Sequence, residues 1–226
     1  MNVKTITSPD FNQPSLFREK HSLSIRLWHW TTFVVISASL ICVLFASTIF
    51  STKSNLSMVQ EKIEQKGGSV TPVQARAVAH EYSEKLWMLH KYIGYGLSFL
   101  LLSRIAIEIF VSKEEKLKTK IQTALKLSGN NSTANDKRHY LIVKGGYLFF
   151  YAMLIIMAIT GLGLAYEDVP FLKSIHKPLI QVHSIVQYGM YFYIITHLIG
   201  VIRSDATVNK GIISGMINSG KAQTYK

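Results

Sequence analysis

The chain has 226 residues, of which 48% are hydrophobic and only 17% charged, and its apolar residues are gathered in long runs. This composition is typical of an integral membrane protein with a single domain. The single cysteine, Cys42, lies in an apolar run, so an intrachain disulfide, a zinc–thiolate cluster and an iron–sulfur cluster are excluded.

The net charge of +12 raises the question of a nucleic-acid partner. However, no basic run interleaved with aromatic residues lies outside the apolar runs. The excess of Lys and Arg on the cytoplasmic side of membrane proteins explains the charge better. We therefore expect membrane lipid, and no nucleic acid, around this chain.

Four apolar runs are long enough to cross a bilayer as helices, at about residues 27–50, 86–111, 140–166 and 179–203. The first run is too long for the core of a cleaved signal peptide, which favours a retained helix. The predicted fold is all-α, an integral membrane antiparallel four-helix bundle with short amphipathic helices in its loops. The bundle occupies residues 26–203, between an N-terminal segment at 1–25 and a basic tail at 204–226.

The connections between the spans carry local helix signals. Within the polar insertion at 51–85, residues 57–66 form a candidate short helix that Gly67-Gly68 ends, and Thr71-Pro72 starts a helix that we expect to run straight into the second span. Two apolar stripes predict helices lying on the membrane surface: Leu117, Ile121 and Leu125 in the 112–139 loop, which Gly129-Asn130-Asn131 breaks, and Ile212, Ile213, Met216 and Ile217 in the tail.

The distribution of Lys and Arg predicts the orientation. The N-terminal segment up to Arg26, the 112–139 loop and the tail from Arg203 hold 4, 7 and 4 of these residues. The 51–85 and 167–182 segments hold 5 and 2. Because the larger number belongs on the cytoplasmic side, both termini should be cytoplasmic, and the chain should be a multi-pass protein of the bacterial cytoplasmic membrane.

The fourth span carries two histidines, His183 and His197, separated by 14 positions. Fourteen steps of about 100° bring both imidazoles close to one face of a helix, and a rise of about 1.5 Å per residue separates them by about 21 Å. With the predicted orientation, His29 lies level with His197 at the inner end of the bundle, and His90 lies level with His183 at the outer end. Polar rings inside a membrane usually mark function.

Each level pair can supply both axial ligands of a haem iron, so the four histidines predict two bis-histidine b haems. The competing interpretation is that the rings are satisfied polar groups in helix contacts. Zinc is a weaker alternative, because neither level pair has a carboxylate or thiolate beside it. His139 and His176 are alternative ligands for the inner and outer sites, but both lie at segment ends, where a surface role is favoured. We expect His21 and His80 to be surface residues.

Cationic side chains near the histidines are candidate partners of the haem propionates. Arg104 follows His90 by 14 positions, which places it on the same face at the level of the inner pair. It needs an anion, and both Glu108, four residues further on, and an inner propionate fit this need. Arg26 and Lys91 are further candidate cofactor-binding residues, and Arg203 either joins them or marks the membrane interface.

Four sequence blocks in order resemble the prokaryotic cytochrome b561 family, which includes the b-type cytochrome subunits of nickel–iron hydrogenases and formate dehydrogenases. The blocks are Arg26-Leu-Trp-His29-Trp30, Leu89-His90-Lys-Tyr-Ile-Gly94 with Arg104, Ile159-Thr-Gly161-Leu-Gly163, and His183 with His197. The resemblance spans about 26–203 and implies a four-helix, dihaem, quinone-linked electron carrier. It places the family's ligand positions on His29, His90, His183 and His197.

The resemblance implies transmembrane electron transfer between the quinone pool and a redox partner such as a dehydrogenase, a hydrogenase or a c-type cytochrome. An electron-transfer subunit is the favoured interpretation, so whether the chain alone is an enzyme stays open. A stand-alone quinone-linked oxidoreductase, such as a superoxide oxidase, is the first alternative. A haem-free structural or transport protein is the second. Neither the 51–85 insertion nor the basic tail matches the family pattern.

Overall fold

The computed structural model describes residues 22–110, 119, 121–122, 131–207 and 211–218, with the backbone alone for 131–137 and 139. These residues form helices and no strand, as predicted. The helices are α1 (Leu23–Ser47), α2 (Thr52–Glu64), α3 (Pro72–Phe110), α4 (Asn131–Ala165), α5 (Pro170–Ser174), α6 (His176–Ala206) and α7 (Ile212–Asn218).

Four of these helices are long and apolar enough to cross a membrane, which confirms the predicted fold class. The candidate spans are Leu23–Ser47, Pro72–Phe110, Tyr140–Ala165 and His176–Ala206. The second helix is much longer than the predicted span, because it includes the end of the 51–85 insertion, as expected. Helix α4 begins at Asn131, so the loop predicted over 112–139 is shorter than expected.

The start of α3 shows why the chain turns into a helix at this point. The Thr71 hydroxyl accepts a hydrogen bond from the Gln74 amide at 3.3 Å, and the Gln74 side-chain oxygen accepts one from the Thr71 amide at 3.0 Å. Such a reciprocal capping box satisfies two amides that lack helical partners, and Pro72 takes the first helical position, where its missing N–H costs nothing. The predicted helix start is therefore confirmed.

The insertion between the first two spans is a helical hairpin. Helix α2 packs on the first turns of α3, with Val59 against Ala75 and Ala79, and both alanines are fully buried. The turn at Gly67 has a φ of +79°, a conformation that glycine adopts readily. The hairpin thus continues α3 beyond the predicted membrane span, at the end of the bundle that the predicted orientation places outside.

The four spans form two layers. Helix α1 packs against α3, and α4 packs against α6, while α3 also touches α4. Between the layers, Ile36, Met153 and Met190 form a buried apolar cluster. Among the described residues, α6 makes only sparse close backbone approaches to α1 and α3. The space between these helices is therefore bridged by side chains.

The predicted tail helix is confirmed as α7, and it folds back onto the start of α1. The Arg26 Nη1 donates to the Ile217 carbonyl at 3.1 Å, and the Trp30 Nε1 donates to the Met216 carbonyl at 3.2 Å. The Asp205 carboxylate accepts from the Ile213 amide at 3.2 Å. Of the other predicted surface helix, Leu117 and Leu125 lie outside the described residues.

Candidate functional site

The structure brings the four predicted histidines together as two pairs. His29 of α1 faces His197 of α6 with ring centroids 6.3 Å apart and planes at 62°. His90 of α3 faces His183 of α6 with centroids 6.4 Å apart and planes at 89°. We call these the inner pair and the outer pair, names that follow the predicted orientation. Helix α6 contributes one ring to each pair, because the 14-residue spacing returns both rings to one face.

An apolar layer separates the two pairs. Met190 lies seven positions from each histidine of α6 and is only 4% exposed. It packs with Ile36 of α1 and Met153 of α4. The two pairs are therefore separate sites, stacked along the bundle with a dry layer between them.

Hydroxyl groups hold the rings of the outer pair. The Thr160 hydroxyl of α4 lies 2.8 Å from the Nδ1 of His183, and the Ser39 hydroxyl of α1 lies 3.1 Å from the Nδ1 of His90. Thr160 and Ser39 are both buried. In each ring these contacts engage Nδ1 and leave Nε2 for another partner.

Aromatic rings surround the inner pair. The Tyr193 ring is stacked parallel to His197, with centroids 5.9 Å apart and planes at 7°. Phe150 stacks on the Tyr193 ring, with the two ring centroids 5.1 Å apart. His29 lies edge-on to Trp30, at 5.6 Å. The inner rings are thus oriented by packing against flat apolar surfaces.

Glycines shape the surroundings of the outer pair. A Cβ on Gly161 of α4 would lie 3.3 Å from the Cε1 of His183, so the helix backbone itself supports this ring. A Cβ on Gly94, one turn from His90 along α3, would meet nothing within 4 Å. The site therefore combines a close support on one side with open space on another.

Two arginines lie near the inner end of the bundle. Arg26 is only 8% exposed, and its Nε has no hydrogen-bond partner among the described residues. Arg104 donates from Nε to the Tyr151 hydroxyl and from Nη1 to the Glu108 carboxylate, both at 3.0 Å. The Glu108 partner is one of the two anions that the sequence left open for Arg104. Lys91 is exposed.

A model of the prokaryotic cytochrome b561 family matches residues 20–219. The chain belongs to the prokaryotic cytochrome b561 family. No curated protein and no solved structure gives a significant match. As a member of this family, the chain is a multi-pass membrane protein that binds b-type haem and has a role in transmembrane electron transfer.

The two pairs of this cytochrome b561 chain fit the axial ligands of haem. Imidazoles on opposite sides of one metal ion, with bonds of about 2.0 Å, have ring centroids about 6 Å apart. The observed gaps of 6.3 and 6.4 Å match that separation. Among the described residues no three His, Cys, Asp or Glu side chains form a metal-binding cluster, so the donor set consists of pairs.

The surroundings of the pairs also fit a flat anionic ligand. The buried Arg26 Nε offers a donor without a described partner, as a carboxylate at the inner end would require. Gly94, one turn along α3 from His90, leaves open space where a side chain would otherwise extend. These features agree with a b-type haem, whose propionates carry negative charge.

The rival histidines lie elsewhere. His176 Nδ1 contacts Glu167 at 3.3 Å, and His80 contacts Glu84 at 3.8 Å with both side chains more than half exposed. Neither joins an imidazole pair. His21 and the side chain of His139 lie outside the described residues.

Sequence reasoning missed the side chains that support the histidines. Ser39 and Thr160 join their histidines across helices, and a hydroxyl inside an apolar helix was the available signal. Lys144 was also missed. It is 5% exposed, and its ammonium lies 5.0 Å and 5.2 Å from the ring centroids of Tyr140 and Tyr147.

Proposed function

We propose that the chain carries electrons across the membrane through two b haems, one held by the inner pair and one by the outer pair. The observation that carries the proposal is the repeated gap between paired imidazoles, 6.3 Å and 6.4 Å, on helices at two depths. A bound haem would supply the one-electron chemistry of its iron. The protein residues supply the ligands, a dry surrounding and cations near the propionates.

The two sites are spaced for transfer from one haem to the other. The 14-residue interval along α6 separates the ligand positions by about 21 Å, and the gap between haem edges is shorter by the ring radii. The Met190 layer between them excludes water from this path. Electrons would thus cross most of the bilayer inside one bundle.

The buried arginine at the inner end supports a propionate site. Arg26 keeps its Nε available beside the inner pair, although Nη1 already donates to Ile217. Arg104 uses two of the five donors of a guanidinium, so it can also reach a propionate. Lys91 is the corresponding cation next to His90 at the outer end.

We further propose that the chain exchanges electrons with the membrane quinone pool and with a redox partner protein. This partner would be a dehydrogenase, a hydrogenase or a c-type cytochrome. The family supports this role as an electron-transfer subunit. A pyridine haemochrome assay on the purified protein should give two b haems per chain, and a short-chain quinol should reduce at least one. One haem per chain would refute the dihaem proposal, and failure of quinol to reduce either haem would refute the quinone link.

We propose that both termini face the cytoplasm. The Lys and Arg asymmetry supports this orientation. Because Cys42 is buried, Lys66→Cys at the tip of the outer hairpin provides a site for an impermeant maleimide. Labelling of whole cells from the outside is the expected result. Labelling only from the cytoplasmic side of inverted vesicles would reverse the orientation and exchange the two haem levels.

A further inference from the structure

The Thr160 hydroxyl has one proton and three polar contacts, the longest of them to the Met157 carbonyl at 3.3 Å. Its Oγ1 lies 2.7 Å from the Ile156 carbonyl and 2.8 Å from the His183 Nδ1. A carbonyl oxygen can only accept, so the hydroxyl donates to Ile156 and accepts from the imidazole. The proton of the His183 ring must therefore be on Nδ1, and its Nε2 carries the free lone pair.

We propose that Thr160 is a positioning residue, which fixes His183 as the Nδ1–H tautomer so that Nε2 is presented to the haem iron of the outer pair. This inference rests on the proposed function, since it assumes that the outer pair binds haem. It goes further by assigning a role to a residue that touches neither the iron nor the other ligand. Gly161 supports the same ring from beside it, since a Cβ added at this position would lie 3.3 Å from the His183 Cε1.

Ser39 has the matching place on the other side of the outer pair. Its hydroxyl lies 3.1 Å from the His90 Nδ1 and makes no second hydrogen bond among the described residues. Its proton is therefore not committed in the way that the Thr160 proton is. With the Nε2 of His90 bound to iron, the ring proton would be on Nδ1, and the Ser39 hydroxyl would accept a hydrogen bond from it. The Ser39 hydroxyl can therefore adapt to either tautomer of its histidine, whereas the Thr160 hydroxyl fixes the tautomer of His183.

The inner pair provides a contrast within the same bundle. The His197 ring lies flat against Tyr193, and no hydroxyl contacts it among the described residues. A hydrogen bond from the far nitrogen of a ligating imidazole raises the basicity of the ligand and fixes the ring orientation. A more basic ligand stabilises oxidised iron. Thr160 should therefore lower the potential of the outer haem and leave that of the inner haem unaffected.

The test compares Thr160→Val with Thr196→Val in the full-length, haem-loaded protein. Valine keeps the shape of threonine and removes the hydroxyl. Thr196 of α6 is a matched control, because its hydroxyl also donates to carbonyls of its own helix, at 2.9 Å and 3.0 Å, but contacts no imidazole. The measurements are haem content, a redox titration that resolves both haems, and the electron paramagnetic resonance signals of the oxidised protein.

Thr160→Val should shift the outer potential upwards and change the outer resonance signal, while Thr196→Val leaves both unchanged. The shift should correspond to as much as about a tenfold change in the one-electron equilibrium constant, or about 59 mV. Thr160→Ser should restore the wild-type values, because it returns the hydroxyl. If Thr160→Val does not fold, Thr160→Ala removes the same hydroxyl and should give the same upward shift of the outer potential, with Ser98→Ala as the silent control for a hydroxyl that bonds only to its own helix.

Identical outer potentials and signals in Thr160→Val and Thr196→Val would overturn the inference while leaving the haem assignment intact. Loss of the wild-type signature in Thr160→Ser would also overturn it, since the hydroxyl would then not be the active group. A wild-type protein with fewer than two haems would instead refute the proposed function. The two failures are therefore distinguishable.

Discussion

The outer and inner histidine pairs have nearly the same ring separation but are held in different ways. Hydroxyls from two other helices fix the outer rings, through Ser39 and Thr160. Aromatic packing on Tyr193 and Trp30 orients the inner rings, and buried cations lie near that end. If each pair holds a haem as proposed, hydrogen bonds to the ligands would set the properties of the outer site, and nearby positive charge would set those of the inner site.

The two kinds of contact should shift the haem potential in opposite directions. A nearby cation favours the reduced iron, which carries less positive charge, whereas a hydrogen bond from the far nitrogen favours the oxidised iron. The inner haem should therefore have the higher potential. Changes confined to one pair test this contrast, and changes to the layer between the pairs should affect both.

The largest expected effect comes from the apolar layer that the two pairs share. Met190→Ala would leave a cavity between Ile36 and Met153 and should cost about 2–5 kcal/mol of stability. Heating in detergent should release both haems at a lower temperature. Met88→Ala is the control, because Met88 is 52% exposed. Release of only one haem would show that the layer belongs to a single site.

Gly161→Ala should affect the outer pair alone. The added Cβ would lie 3.3 Å from the His183 ring, which would have to move by a few tenths of an ångström. Displacing a support of a metal ligand typically costs about 10–100-fold in affinity. Haem content and a redox titration should show a weakened outer haem and an unchanged inner one. Gly145→Ala on the same helix, where nothing lies within 4 Å, should be silent.

Arg26→Gln should lower the potential of the inner haem alone. Glutamine removes the charge but keeps hydrogen-bonding capacity near Ile217. The positive charge stabilises the reduced iron relative to the oxidised iron, so its loss should lower the inner potential, and each 1 kcal/mol of that difference corresponds to about 43 mV. Arg76→Gln, an exposed arginine of the outer hairpin, serves as the control. If the outer potential fell as much as the inner one, Arg26 would not act on the inner haem alone, and the contrast between the two sites would be contradicted.

Arg104→Leu should lower the inner potential by less than Arg26→Gln does, because the Arg104 charge already faces the Glu108 carboxylate at 3.0 Å. Glu108→Gln should raise the same potential slightly by removing the opposing charge. Redox titration of the three variants in one buffer measures both effects. Unchanged potentials together with reduced thermal stability would mean that Arg104 serves only Glu108 and the bundle.

The spans and the level of each paired histidine along the bundle could be predicted from the sequence because they depend on local properties. Run length sets a span, and a 14-residue interval sets a helix face whatever the partners are. The Thr71-Pro72 start could likewise be predicted from two neighbouring residues. These features required no knowledge of how the helices are rotated about their axes.

The contacts between helices could not be predicted in the same way. Ser39 lies 51 positions from His90, and their meeting depends on the rotation and tilt of α1 and α3. The choice between Glu108 and a propionate for Arg104 depended on a side-chain rotamer, and the structure shows the Glu108 contact. The early start of α4 at Asn131 was missed because polar residues there hid the continuing helix.

The most direct test of the dihaem account is the haem content of His197→Ala and His183→Ala, measured against His80→Ala. His80 is an exposed surface residue, so its variant should keep two haems per chain. The account predicts that each paired-histidine variant keeps one haem, and that the surviving potential is the higher one in His183→Ala and the lower one in His197→Ala. Retention of both haems in either variant, or loss of both in each, would contradict two independent bis-histidine sites.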